Sequence, residues 1–268
     1  MTEDRYEAAV AHPEGRSTVA RLASTATESG YDGLVVRNAD AVLAEDPTIT
    51  DGDPPDHADA GEDYDPEDDG GYLRTVTAEY GVDVVSGVEI DVDDPSTAAG
   101  RLGNVRSRER TDYTVVAVAG GSEAMNRFAA ESDRVDVLTR PLRRAGAVDH
   151  VVADEARDHG VRVEFDLSPV LRATGGRRVR ALRDLRRLRE IVLDRDAPFV
   201  VSARPDSHLR IRSPRELVAV GEAVGFDRET VEAGLREWGR LAGRNRERAG
   251  ESFIEPGVER GRYEEDDR

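Results

Sequence analysis

The sequence contains no cysteine and no lysine. The first absence excludes disulfides and all thiolate chemistry. The second excludes Schiff-base catalysis and leaves no lysine to fill a P-loop. No Gly-x-Ser-x-Gly elbow occurs, so the usual serine-hydrolase arrangement is missing as well. No apolar run approaches the length of a bilayer span. The opening MTEDRYEAAVAHPEG has no basic segment followed by an apolar one. These features predict a cytoplasmic protein without a signal peptide or a membrane partner.

What remains is an acidic chain of 268 residues with net charge -18, in which all 38 basic residues are arginine. Acidic surplus, missing lysine and few large apolar side chains are the composition of a halophilic protein. Near molar salt the Debye length falls to about 3 Å, so the negative surface repels little and stays hydrated. Net charge then reports habitat more than ligand, and nucleic acid is not excluded by it.

Against that background, residues 161–196 stand out. A short β run, VRVEF, is followed by a turn containing Pro169, Gly175 and Gly176, and then by a helical pattern to about Leu193. Val179, Leu182, Leu185, Leu188 and Val192 fall three and four apart, predicting a buried stripe. The opposite face carries Arg177, Arg178, Arg180, Arg183, Arg186, Arg187 and Arg189, with Arg172 just before. Between Arg172 and Arg195 there are nine arginines and three acids, too few partners at helical spacing to neutralise them. The helix is either solvated or a docking face for RNA or an acidic partner.

Short apolar runs at 6–11, 33–36, 82–90, 113–119, 135–138, 161–165 and 198–202 read as strands, with helical patterns between most of them. Residues 91–110 read as a polar loop. Continuous apolar strands alternating with helices predict a parallel sheet covered on both faces. The expected fold is an irregular TIM-type α/β barrel of about seven parallel strands, spanning 1–248 as one domain. No Gly-rich dinucleotide fingerprint follows the first strand, which weighs against a doubly wound sheet. Residues 45–69 hold twelve acids, four prolines and no arginine, and read as a disordered acidic insertion. Residues 249–268 read as a charged tail.

In such a barrel the working residues lie at the carboxyl ends of the strands. There the sequence places His12, Glu89, Asp206 and His208, weak candidates for a metal site and better read as a buried polar network. It also places Arg37, Arg140 and Arg204, which repel a divalent cation and suit an anion, whether a phosphate or neighbouring carboxylates. A metal-dependent phosphoesterase barrel would carry a His-x-His pair after its first strand. Here that position reads Val10–Ala11–His12, and Ala119 and Arg140 end the fourth and fifth strands where such an enzyme would use histidine.

The run VEFDLSPVLR at 163–172, the Gly175–Gly176–Arg177–Arg178 turn, the arginine helix, SPREL at 213–217, the helix end 221–226 and Gly87–Val88–Glu89–Ile90 resemble archaeal RNase P protein component 3, the relative of the thirty-kilodalton eukaryotic subunit. The likeness covers nearly the whole chain apart from the acidic insertion and the tail, and is most specific over 161–226. It implies a barrel like that of the polymerase-and-histidinol-phosphatase (PHP) enzymes. It further implies a noncatalytic subunit of a ribonucleoprotein that removes the 5′ leader of precursor tRNA, in which the RNA cleaves with its own magnesium. The implied partners are RNase P RNA, protein component 2, the other protein subunits and, indirectly, precursor tRNA. This chain itself is then expected to bind no cofactor. A metal-dependent phosphoesterase and a plain protein-interaction barrel are the competing readings.

Overall fold

A computed structural model describes residues 4–39, 69–106, 113–145, 147–249, 253–255 and 258–259. Seven parallel strands follow one another in chain order: β1 (Tyr6–Ala9), β2 (Gly33–Ala39), β3 (Asp83–Ile90), β4 (Val115–Ala119), β5 (Val137–Thr139), β6 (Arg162–Asp166) and β7 (Phe199–Ser202). Helices α1 (Val19–Glu28), α2 (Asp69–Tyr80), α3 (Pro95–Val105), α4 (Glu123–Ala130) and α5 (His150–His159) join the first six strands. Then come α6 (Ser168–Arg172), α7 (Gly175–Asp194), α8 (Pro214–Val224) and α9 (Arg228–Ala249). The result is the expected seven-stranded barrel, nearly closed. The acidic insertion lies almost wholly outside the described residues, as does most of the tail.

Each strand is bonded to the next, but β7 and β1 share no ladder. Their gap is bridged otherwise. The Val10 N–H donates to the Pro205 carbonyl at 2.9 Å. The buried carboxyl of Glu7 takes the Ala203 N–H at 3.0 Å and the Ala8 N–H at 2.9 Å. One side chain thus satisfies backbone donors that an eighth strand would have paired.

Strand side chains alternate between two cores. Outward residues such as Leu34, Val116, Leu138, Val163 and Val201 pack under the helices. Inward residues Ala8, Val35, Val85, Ala117, Val137 and Val200 form a second cluster with Trp238, Leu241 and Ala242 of α9. The last helix therefore plugs the barrel from below. Trp238 is fully buried and donates its indole N–H to the Val201 carbonyl at 3.0 Å. Close approach is built in: a Cβ at Gly239 or at Gly33 would collide with the Tyr6 ring.

Several local expectations change. The polar loop at 91–110 contains α3, capped by Asp94 with Pro95 in its first turn. The turn after β6 holds α6. Thr18 caps α1, and Ser17 beside it is buried against His208. The capping box at Ser213 is present, with its N–H on the Glu216 carboxylate at 2.9 Å. On α7 the buried stripe is Leu185, Leu188, Ile191 and Val192. Val179 is 66% exposed, because the first turns of α7 stand clear of the barrel.

Candidate functional site

The upper layer of the barrel interior is ionic. Arg37, within β2, is fully buried. It bonds Glu89 of β3 at 2.8 Å and also Glu164 of β6, and its guanidinium lies 5.6 Å from the Trp238 ring centroid. Arg140 reaches Glu89 at 2.5 Å and Asp91 at 2.8 Å, while its backbone N–H donates to Glu164 at 3.0 Å. Arg204 approaches Glu89 at 3.3 Å, and Arg143 bonds Asp91 at 2.6 Å. The Ser202 hydroxyl completes the shell of Glu164 at 2.7 Å.

Four guanidiniums thus face three carboxylates. Burial opposes the charge on Glu89, yet Arg37, Arg140 and Arg204 together pull its pKa below the ordinary value. Burial likewise opposes the charge of Arg37, and Glu164 and Glu89 overcome it. Arg140 and Arg204 both sit at positive φ, 47° and 44°. Left-handed backbone is costly for arginine. At the ends of β5 and β7 it is held by the two residues' shared contact with Glu89.

The three arginines expected to hold an anion at the mouth therefore converge on the protein's own carboxylates. Arg37 is sealed inside the barrel, so of the two anions considered for it, phosphate and neighbouring carboxylates, it meets the carboxylates. The four weak metal candidates are not gathered into a site. Glu89 is ringed by guanidiniums, Asp206 pairs with Arg210 at 2.7 Å, and His208 Nδ1 lies 2.8 Å from the Ser17 hydroxyl. His12 instead marks a cis peptide bond with Pro13. Among the described residues, no group of three or more histidines and acids is placed to hold an ion. The donor set at the barrel mouth does not fit the metal cluster of a phosphoesterase.

The arginines of α7, together with Arg172 at the end of α6, divide into two sets. Arg172 is bonded to the Ala203 and Arg204 carbonyls, and Arg186 to the Ala223 carbonyl. Arg189 lies over the Phe226 ring at 5.4 Å, and Arg183 pairs with Asp184. Arg172, Arg186 and Arg189 thus also make contacts within the fold, while Arg172 and Arg186 stay exposed. Arg177, Arg178, Arg180 and Arg187 are exposed and make no ion pair among the described residues. Thr174 gives α7 no side-chain cap, so its first N–H groups add to the positive end. Between this end of α7 and the barrel mouth lies a cavity of about 470 Å³, lined in part by Arg140, Arg143, Arg177, Arg180 and Arg204.

The sequence model of the RNase P subunit p30 family matches residues 4–249. This chain belongs to the RNase P subunit p30 family. It is 56% identical to ribonuclease P protein component 3 of Halorubrum lacusprofundi over 97% of this chain and 99% of that one. It is 52% identical to the protein of the same name from Haloarcula marismortui, over 94% and 95%. A chain from a cryo-EM structure of archaeal ribonuclease P with mature tRNA superposes with a TM-score of 0.74 at 20% identity, covering 98% of this chain and all of that one. The family match thus spans all seven strands of the barrel.

The ionic interior was partly hidden in the sequence. Glu7 was missed, since a single acid in a β run looks like an outward residue. Asp91 was missed because it falls in the segment read as a polar loop, and Arg143 because it follows the fifth strand where no periodic pattern marks it. The one available signal was charge within or beside strands: Glu7, Glu89 and Glu164 interrupt apolar runs, and Arg37 directly follows one.

Proposed function

We propose that this chain is a noncatalytic protein subunit of ribonuclease P, working in the cytoplasm to support RNA-catalysed removal of the 5′ leader from precursor tRNA. Its RNA partner supplies the cleavage chemistry together with magnesium. The observation that carries the reading is the match of the p30 family over residues 4–249, joined to high identity with proteins named ribonuclease P protein component 3. Two physical features support it. The place where a barrel enzyme would do chemistry is filled by neutralised ion pairs, and the unspent positive charge lies outside, on α7. Arginine suits that role, because its planar fork bonds phosphate or carboxylate bidentately. The expected partners are RNase P RNA, protein component 2 and the remaining protein subunits, with precursor tRNA reached through them.

The test is reconstitution in high salt. The purified chain alone should not cleave precursor tRNA. Added to RNase P RNA and component 2, it should raise the cleavage rate, and Arg178→Glu with Arg187→Glu should reduce that gain. No change in rate on adding the wild-type chain overturns the proposal.

A further inference from the structure

In molar salt, phosphate contacts weaken steeply, by a slope of about -0.7 per contact for single strands. A basic helix alone is a poor holdfast for RNA under those conditions. The structure supplies what such a helix lacks. Beneath the open arginines Arg177 and Arg180 lies the cavity of about 470 Å³, with Leu142, Pro141 and Leu185 among its walls. That volume falls in the range of small-molecule pockets, and a mix of apolar wall and few polar groups is their usual lining. Its charged lining is five arginines against Glu164, Asp166 and Asp184; Arg140, Arg143 and Arg204 are already paired with Glu89 or Asp91, so the unpaired positive charge at the cavity is that of Arg177 and Arg180.

The polar groups are placed for two different tasks. Arg177 and Arg180 make no ion pair among the described residues and stand at the uncapped start of α7, where a phosphate is favoured. Asp166 has one oxygen on the Ser168 N–H at 2.8 Å. Its other oxygen accepts no hydrogen bond among the described residues, although the charges of Arg37 and Arg172 act on the carboxylate, leaving an acceptor at the cavity for a base amino group. Arg140 and Arg204, held by Glu89, form a guanidinium wall. Guanidinium planes and apolar side chains both stack on nucleobases.

We propose that the cavity takes one unstacked nucleotide of a single-stranded RNA segment, with its phosphate on Arg177 and Arg180 and its base inside. This rests on the RNA-subunit reading above and narrows it. The pocket grips by contact rather than by long-range charge, so its share of the affinity survives high salt.

The experiment measures binding of the full chain to a labelled single-stranded RNA and to a duplex, each of about twelve nucleotides per strand, in about 2 M KCl. Ala181→Phe fills the cavity without changing charge, and circular dichroism checks its fold. It should weaken single-strand binding about tenfold or more, and duplex binding much less. Arg177→Ser with Arg180→Ser should lower the single-strand salt slope by about 1.4. The same cavity-filled chain in the reconstituted particle should expose one RNA nucleotide to base-modifying reagents. Unchanged single-strand affinity for Ala181→Phe overturns the proposal, as does equal weakening for duplex. So does competition by micromolar nucleoside 5′-monophosphate, which would mark a free-nucleotide site. Failure of these arms while reconstituted cleavage still needs the chain leaves the subunit role standing and removes only the pocket.

Discussion

Replacing Arg37 by methionine should be among the most damaging single changes in the barrel. The side chain is fully buried, stacked near Trp238, and bonds both Glu89 and Glu164. Glu89 would keep Arg140 and Arg204. Glu164 would keep only the Ser202 hydroxyl and the Arg140 N–H, with no guanidinium on its side chain. Breaking a buried pair from one side costs about 3–5 kcal/mol. The lost ring contact is offset in part, because methionine also packs well on aromatics. Whole-domain stability is typically about 5–15 kcal/mol, so this is a large fraction. Adding Glu164→Gln removes the stranded charge while keeping its shape. The double variant should return to within about 2 kcal/mol of the wild type, since a buried pair is often replaceable as a unit. Urea unfolding at fixed high salt, with unchanged m-values, measures both. A single-variant cost below about 1 kcal/mol, or a double variant worse than the single, would refute the reasoning.

Burial pushes the Glu7 carboxyl up to about 8 from 4.5, against the pull of the Ala8 and Ala203 N–H groups and Arg37. The folded state then holds a proton that the unfolded chain releases, so this contribution to stability is complete below about 4.5 and is lost as pH rises towards 8. Glu7→Gln should flatten the fall, which has a limiting slope of about 1.4 kcal/mol per pH unit, and should melt above the wild type at alkaline pH. Parallel melting curves for the two proteins between those limits would exclude it. On α7, Leu188→Ala should cost about 2–5 kcal/mol in chemical unfolding and Val179→Ser less than about 0.5; similar losses at both would mean that the first turns of the helix are packed. Gly33→Ala should lower the melting temperature clearly, because its Cβ would sit within 2.0 Å of the Tyr6 ring.

The fold was legible because parallel strands buried on both faces leave unbroken apolar runs, and six of the seven strand runs are plain from β-branched residues alone. Closure was not legible. The β7–β1 gap is bridged by a side chain and loop carbonyls, and no periodicity encodes that. On α7, spacing alone marked Val179 as core, but periodicity identifies a face and not how far along the helix the neighbours extend. The arginines behaved likewise: sequence shows their excess, whereas only packing separates Arg186, tied to the Ala223 carbonyl, from Arg187 one position on. Arg37 looked like a strand end at the mouth, yet β2 runs on to Ala39 and carries its guanidinium inward.

The two ends of the barrel are closed by different physics, and the difference bears on function. Below, Trp238, Leu241 and Ala242 fill the bore with apolar volume, as any structural plug would. Above, the bore is filled by ion pairs, which are a weak source of stability because desolvating each charge offsets most of the attraction. An apolar top layer would serve a pure scaffold at least as well. What the ionic layer supplies is position. Glu89 holds both Arg140 and Arg204 in left-handed backbone, and Asp91 holds Arg143, so three guanidiniums are fixed around the cavity beneath α7. The carboxylates at this mouth thus act through arginine, orienting cations rather than gripping one. Under the proposed nucleotide pocket, these fixed guanidiniums would meet a base by shape and hydrogen bonding, the kind of contact that molar salt leaves intact.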